Sequence, residues 1–255
     1  LLLGVVNRVK ACFAGRTGQP LLQPYRDIGR LLRKGAVFSP TTTWVFRAGP
    51  LVGVTAGMVG LVLLPLGGSR AVLAFSGDFM LLIYLLGTAR FFVVLAALDT
   101  GSAFEGMGAS REVAFSALAE PALLLAMAAL VRATGMRSLS HAMGSVWSDV
   151  WVPSMPVAVL VAAALAVVLL AENARIPFDD PNTHLELTMI HEVMVLDHSG
   201  PDFGLVLYGS ALKLWLFAGV LAGVLVPVRT GNPWLDAGAA VVGIFAVAAG
   251  VGVVE

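Results

Sequence analysis

The densest set of titratable side chains lies between Glu172 and Asp202, where seven carboxylates (Glu172, Asp179, Asp180, Glu186, Glu192, Asp197 and Asp202) share the segment with three histidines and Arg175. His184, His191 and His198 recur every seven residues. On a helix that spacing separates them by about 10.5 Å along the axis. Two of them therefore cannot ligate one metal ion, and no zinc site built by a single helix is expected. His191-Glu192-Val193-Met194-Val195 also fails the H-E-x-x-H pattern of a zinc hydrolase. Imidazoles two turns apart with carboxylates between them can pass protons through water. The same composition also suits a solvated hairpin with histidines on its polar face. Thr183 and Glu186 have capping-box spacing, which predicts a short helix from about Asn182 to Leu196. Leu185, Met189, Val193 and Leu196 would share its apolar face.

A second set of ionisable groups interrupts long apolar runs: Glu120 and Lys213 in the middle, Arg90 about two turns from an end. A charge at a bilayer centre costs about 2.5–3.5 kcal/mol on insertion scales, so such residues normally face a bundle interior or a water-filled cavity and serve function. Glu112 and Glu120 are eight residues apart and lie on similar faces. Glu120 is thus expected inside the bundle on a protonatable path, and Arg90 can equally pair structurally or snorkel. Gly106-Met107-Gly108-Ala109-Ser110-Arg111 lacks the third glycine of a dinucleotide fingerprint and no strand precedes it, so nucleotide binding is rejected. A tight re-entry is expected there, with Arg111 and Glu112 at a helix start. Leu21 to Leu32 reads as an amphipathic interfacial helix, whose basic side also suits anionic lipid.

The elements that must position these groups follow from composition. Of 255 residues, 58% are apolar and 13% charged, with a mean hydropathy of +0.88. A soluble domain carries roughly 25% charge, so a soluble fold and disorder are both excluded. Balanced charge gives no bulk attraction for nucleic acid, and the single Cys12 excludes a disulfide framework or an iron–sulfur cluster held by this chain alone. The fold class is all-α, a polytopic transmembrane helix bundle. Six segments reach the length of about 20 residues that a span needs: Ala48–Leu66, Phe79–Leu98, Val113–Val131, Pro153–Ala171, Phe203–Val228 and Ala237–Val254. Leu1–Val6, without a Met, reads as the tail of a helix whose start is missing, and the natural protein is expected to extend at both ends. The whole of 1–255 is read as a single integral membrane domain. Lys/Arg bias puts 7–43 in the cytoplasm. Span parity then places 99–111 and 172–204 beside it, so all three motif-bearing loops share one face.

On these residues the chain resembles the membrane subunit 1 family. That family is shared by respiratory complex I and energy-converting nickel–iron hydrogenases of the formate-hydrogenlyase and hydrogenase-4 type. The first loop carries Gly15-Arg16-Thr17-Gly18, Leu21 to Pro24, Asp27, Leu31, Leu32 and Lys34 in the family's order. Glu172 to Asp179 resembles its Glu-x-x-Arg-x-Pro-Phe-Asp motif with one extra residue before Arg175. Leu98 to Ser102, Gly108 to Glu112, Glu120-Pro121 and Thr183 to Glu192 are similar to the hydrogenase-type members. Of three alternating acids in the complex I helix, only Glu186 is kept; Asn182 and His184 occupy the other positions.

The resemblance implies a prokaryotic cytoplasmic-membrane subunit that holds no cofactor itself. Fe–S clusters and a nickel–iron centre would sit in partner subunits of a peripheral arm, antiporter-like subunits alongside in the membrane, and lipid around it. The proton (or Na+) path would run over Asp99, Glu112, Glu120, Glu172, Asp179, Glu186, Glu192, Asp197, His184, His191 and Lys213. Arg8, Lys10, Arg16, Arg26, Arg111 and Arg175 would dock the arm or contact a quinone headgroup. Two other classes stay open: a quinone-reducing enzyme whose quinone pocket this chain lines, and a stand-alone ion transporter. The one-sided motif loops and the lack of an obvious inverted repeat disfavour the transporter.

Overall fold

The computed structural model describes residues 1–67, 69–179, 190–226 and 230–255. Among them there is no strand, and six helices are long and apolar enough to cross a membrane. These are α3 (Trp44–Leu63), α4 (Asp78–Asp99), α5 (Ala103–Thr134), α7 (Met155–Glu172), α9 (Gly200–Leu225) and α10 (Pro233–Val254). Shorter helices fill the connections: α1 (Leu2–Phe13), α2 (Gln23–Leu31), α6 (Leu139–Val146), which runs into a π turn at Trp147–Trp151, and α8 (His191–Met194).

Helix ends are set by the residue types at them. Thr43 caps α3, its hydroxyl accepting from the Val45 N–H at 3.2 Å. Asn232 caps α10 by accepting from the Trp234 N–H at 3.1 Å, with Pro233 at the first helical position, where its missing N–H costs nothing. Buried Asp78 accepts from Ser138 Oγ at 2.8 Å and from the Leu139 N–H at 2.6 Å, and so fixes the start of α6. Helix α9 lies at the centre of the bundle, flanked by α3, α7 and α10. Lipid offers no hydrophobic drive for helices to associate, so close packing of small residues holds them together. Gly57 and Gly60 of α3 accordingly meet Leu212 and Leu216 of α9 with no room for a further carbon.

Four expectations are corrected. Helix α1 continues to Phe13, so Arg8 and Lys10 stand on a helix and not in a loop. Helix α5 begins at Ala103, ten residues before the expected span, so Gly106 to Arg111 is helical and no re-entry occurs. The physical reason lies in Gly108: a Cβ there would stand 2.9 Å from the Ile190 carbonyl oxygen and 3.0 Å from Met194 Cγ, so glycine allows α8 to pack on α5. Within the helix expected from Asn182 to Leu196, only His191–Met194 is helical among the described residues. Val193 is buried there, while Leu196, past the helix end, is exposed and does not share its face. Residues 180–189, including Leu185 and Met189, lie outside the described residues.

At the end of the bundle bearing α2 and α8, the three polar segments converge. The Thr43 N–H and Oγ1 donate to Asp99 at 2.6 and 2.9 Å. The Val37 N–H donates to Ser199 Oγ at 3.0 Å, and the Asp197 N–H to Glu105 Oε1 at 3.0 Å.

Candidate functional site

Arg90, on α4, is the hub of a charged cluster at membrane depth. It stands 12 residues along a helix of 22, near the middle of a rod about 33 Å long. Its Nη1 donates to Glu120 Oε1 of α5 at 2.7 Å, its Nη2 donates to Glu172 of α7, and its Nε lies 3.6 Å from Glu112 Oε1 of α5. Lys213 of α9 adds an ion pair to Glu172 Oε2 at 3.4 Å. One guanidinium thus ties three helices together, and the lysine brings in a fourth. Helical periodicity explains the convergence: Glu112 and Glu120, two turns apart, both reach Arg90. Arg90 and Glu172 are buried, so neither charge is tolerable without the other. Glu120 differs, because its side chain is 46% exposed on the flank of the bundle. The interior position expected for it holds only on the side that meets Arg90.

Above the cluster opens a cavity of about 640 Å³. Arg90, Glu112, Glu172, Arg175, Asp179, His191 and Lys213 form its polar wall, and Pro50, Leu86, Val93, Phe203 and Val206 an apolar one. Its size lies within the roughly 300–1,000 Å³ of small-molecule sites. Buried Asp179 accepts from the N–H groups of Ile190 and His191, both at 3.2 Å, and so anchors α8 over the cavity. Desolvation in this wall lowers the His191 pKa to about 4; Lys213 and Arg175 push the same way and Asp179 opposes them. Burial likewise lowers His198 to about 4. Its ring stacks on Phe46 with centroids 4.0 Å apart. Both imidazoles are neutral at neutral pH, able to donate from one nitrogen and accept at the other.

The remaining residues singled out from the sequence divide by position. Glu192 lines the cavity from α8. Asp99 caps the start of α3 through Thr43, and Asp197 is exposed beside Glu105. Arg175 Nη1 donates to Glu255 at 3.0 Å, and Lys10 lies 3.7 Å from the same carboxylate. Half-buried Arg111 reaches Met107 Sδ at 3.3 Å. Arg8, Arg16 and Arg26 are exposed on the same end of the molecule. His184 and Glu186 lie outside the described residues. Sequence reasoning missed Glu105, which is fully buried. It is seven residues before Glu112, and starting α5 at Ala103 would have put both on one face. Glu255, a buried acid bridging α1 and the 172–179 segment, was missed too. Among the described residues no group of three or more His, Cys, Asp or Glu side chains could hold a metal ion.

Residues 1–251 match the family model described as NADH dehydrogenase. Formate hydrogenlyase subunit 4 of Escherichia coli is 34% identical over 227 residues, which cover 89% of this chain and 73% of that protein. Hydrogenase-4 component C of Escherichia coli is 33% identical over 89% of this chain and 70% of that protein. NADH-ubiquinone oxidoreductase chain 1 of Mycosarcoma maydis is 28% identical over 79% of this chain and 60% of that protein. The fold recurs in the structure of the membrane-bound sulfane sulfur reductase, an archaeal respiratory membrane complex, with a TM-score of 0.81, 22% identity, and coverage of 98% of this chain and 83% of that one. Together with the six apolar helices, these matches define an integral membrane subunit of an oxidoreductase complex. More narrowly, the chain belongs to the membrane subunit 1 family found in complex I-like and in hydrogenase-4 and formate-hydrogenlyase-type complexes.

Proposed function

We propose that this chain anchors a peripheral redox arm at the end bearing α2 and α8 and couples electron transfer in the arm to movement of H+ or Na+ in the membrane. The observation that carries the reading is the Arg90 cluster: an ionic network that starts at the wall of the cavity, through Glu172 and Lys213, and reaches mid-membrane at Glu120. Gain or loss of a proton on one of its carboxylates changes which acid holds Arg90. That is how a charge change at Glu172 in the cavity wall is passed through Arg90 to Glu120 on the flank of the bundle. The arm-side end would face the cytoplasm, as the basic first loop implies, and the exposed Arg8, Arg16 and Arg26 suit contact with the arm. Fe–S clusters and a nickel–iron centre would belong to the arm, and antiporter-like subunits would lie alongside.

The test is Glu112→Gln in the assembled complex, with arm electron transfer and ion movement measured separately. Glu112 is the cluster carboxylate with the longest contact to Arg90, so its neutral variant should assemble. Electron transfer is expected to persist while ion movement per electron falls at least severalfold; full coupling would overturn the reading. A second reading is favoured by the shape of the cavity, whose polar and apolar walls suit a quinone headgroup and its tail. Quinone retained by the purified complex, with inhibition by quinone-site ligands, would support it. A complex that retains none and resists those ligands would count against it.

A further inference from the structure

The end of the molecule away from α8 carries a surface of mixed character. Between α3 and α4, residues 69–77 turn three large apolar side chains outward: Val72 is 86% exposed, and Leu73 and Phe75 are exposed as well. A loose segment would fold such side chains away from water, but this one is pinned along its length. The Ala71 N–H donates to Ser140 Oγ at 3.0 Å. The Leu73 N–H donates to the Val62 carbonyl at 3.1 Å, and the Gly77 N–H to the Arg137 carbonyl at 2.9 Å. Asp78 adds its bonds to Ser138 and Leu139. The backbone therefore holds a fixed apolar wedge.

Grouped exposed apolar side chains mark contact with protein, ligand or membrane. Depth favours the membrane. Gly67 lies so close to the Asp236 carbonyl that no Cβ fits, which puts the start of α10 beside the segment. Trp234 there and Trp147 at the end of α6 are both exposed, and Trp gathers where hydrocarbon meets headgroups. The wedge thus stands at the bilayer surface.

Cations rim it. Arg70 and His141 are the chain neighbours of Ala71 and Ser140, which are joined by a hydrogen bond; Arg137 supplies the carbonyl that holds Gly77. All three side chains are exposed, and none has a hydrogen bond or ion pair among the described residues. The described acids of this end are engaged elsewhere. Asp78 and Asp236 are buried and accept from their own loops, and Asp149 accepts from Ser148 Oγ at 2.8 Å. Arginine keeps its charge and meets phosphate with two parallel hydrogen bonds. Guanidiniums beside hydrocarbon fit a phosphate joined to acyl chains. A headgroup with its own ammonium would bring a cation against Arg70 and Arg137, so a net negative headgroup fits better. An acidic protein surface would answer the arginines but not the apolar wedge beside them.

We propose that residues 70–77 and the start of α6 form a site for an anionic phospholipid. Arg70 and Arg137 take its phosphate, and Val72, Leu73 and Phe75 enter its acyl region. The site lies at the opposite end from the cavity and does not rest on the coupling role.

The experiment places a photo-crosslinking phenylalanine analogue at Phe75, and at Leu160 on α7 as control, in the complete complex in its native membrane. The headgroups of the lipid adducts are then identified by mass spectrometry. At Phe75 anionic phospholipid is expected at least threefold above its share of the membrane, while adducts at Leu160 follow the bulk composition. Arg70→Gln with Arg137→Gln should return the Phe75 adducts to the bulk composition. If the double variant does not assemble, Arg70→Gln alone decides, with the enrichment expected to fall at least by half. Adducts of Phe75 to a protein subunit, or lipid adducts of bulk composition in the unaltered chain, overturn the proposal. So does an enrichment that the arginine variants leave unchanged.

Discussion

Two regions of the molecule bury carboxylates in opposite ways. At the end away from α8, Asp78 is saturated by a hydroxyl and a backbone N–H, and Asp236 accepts from the Thr230 N–H and Oγ1, both at 2.7 Å. Those donors are fixed by the loops they start, so these acids behave as fasteners. In the Arg90 cluster the acids are instead held by side-chain cations, and one guanidinium divides itself among three of them. An acid held by backbone donors has one arrangement. An acid that shares a cation has several, and a proton can select among them. Burial alone therefore does not separate the two regions; the kind of partner does.

The sharpest way to break this contrast is Arg90→Met. It leaves Glu172 buried and short of its nearest cation, a change that costs about 3–5 kcal/mol when one member of a buried pair is removed. Thermal unfolding of the purified complex should show it as a large loss. Pairing the change with Glu172→Gln should recover part of that loss, since the stranded charge is gone. No recovery would mean that Arg90 acts by packing. Asp78→Ala should cost less, about 2 kcal/mol, for a buried N–H and hydroxyl left without an acceptor. Ion movement per electron should not change in that variant. A fall in coupling without a fall in stability would erase the distinction between fastener and relay.

Much of this organisation is legible in the sequence, and the parts that are not have physical causes. Six spans are visible because nothing but membrane burial accounts for apolar runs of that length. Glu120, Lys213 and Arg90 are visible because charge interrupts those runs. The pairing of Arg90 with Glu172 is hidden, because it joins residues 82 apart through the crossing of α4 and α7. Glu105 is hidden by the start of α5, where Gly106 and Gly108 read as loop signals although packing against α8 demands one of them. Gly108→Ala tests that explanation. The added methyl meets a backbone carbonyl, so α8 must shift, at about 1 kcal/mol, and hydrogen exchange across 190–196 should quicken while the rest of α5 stays protected. Unchanged protection would mean that the glycine is not required for close packing.

His198 supplies a third case, a titratable group buried with no charged partner among the described residues, and it yields the smallest effect. Among the described residues its Nδ1 has no hydrogen-bond partner, and its ring is held by the stack on Phe46. Burial takes its pKa from an ordinary 6.5 to about 4. Between those values the unfolded segment binds a proton that the folded one refuses, so the unfolded state gains on acidification. Stability of the 195–200 connection is thus whole above pH 6.5 and declines as the pH falls toward 4. At pH 6 the share due to His198 is roughly a fourfold rise in the opening equilibrium. Hydrogen exchange of amides 195–200, corrected for the intrinsic rate, should show that rise between pH 7.5 and 6. His198→Phe keeps the aromatic stack without the titration, and should flatten the dependence while leaving the contribution of His191. If the slope survives in His198→Phe unchanged, the proton binds elsewhere, and desolvation at His198 plays no part in the pH response of this loop.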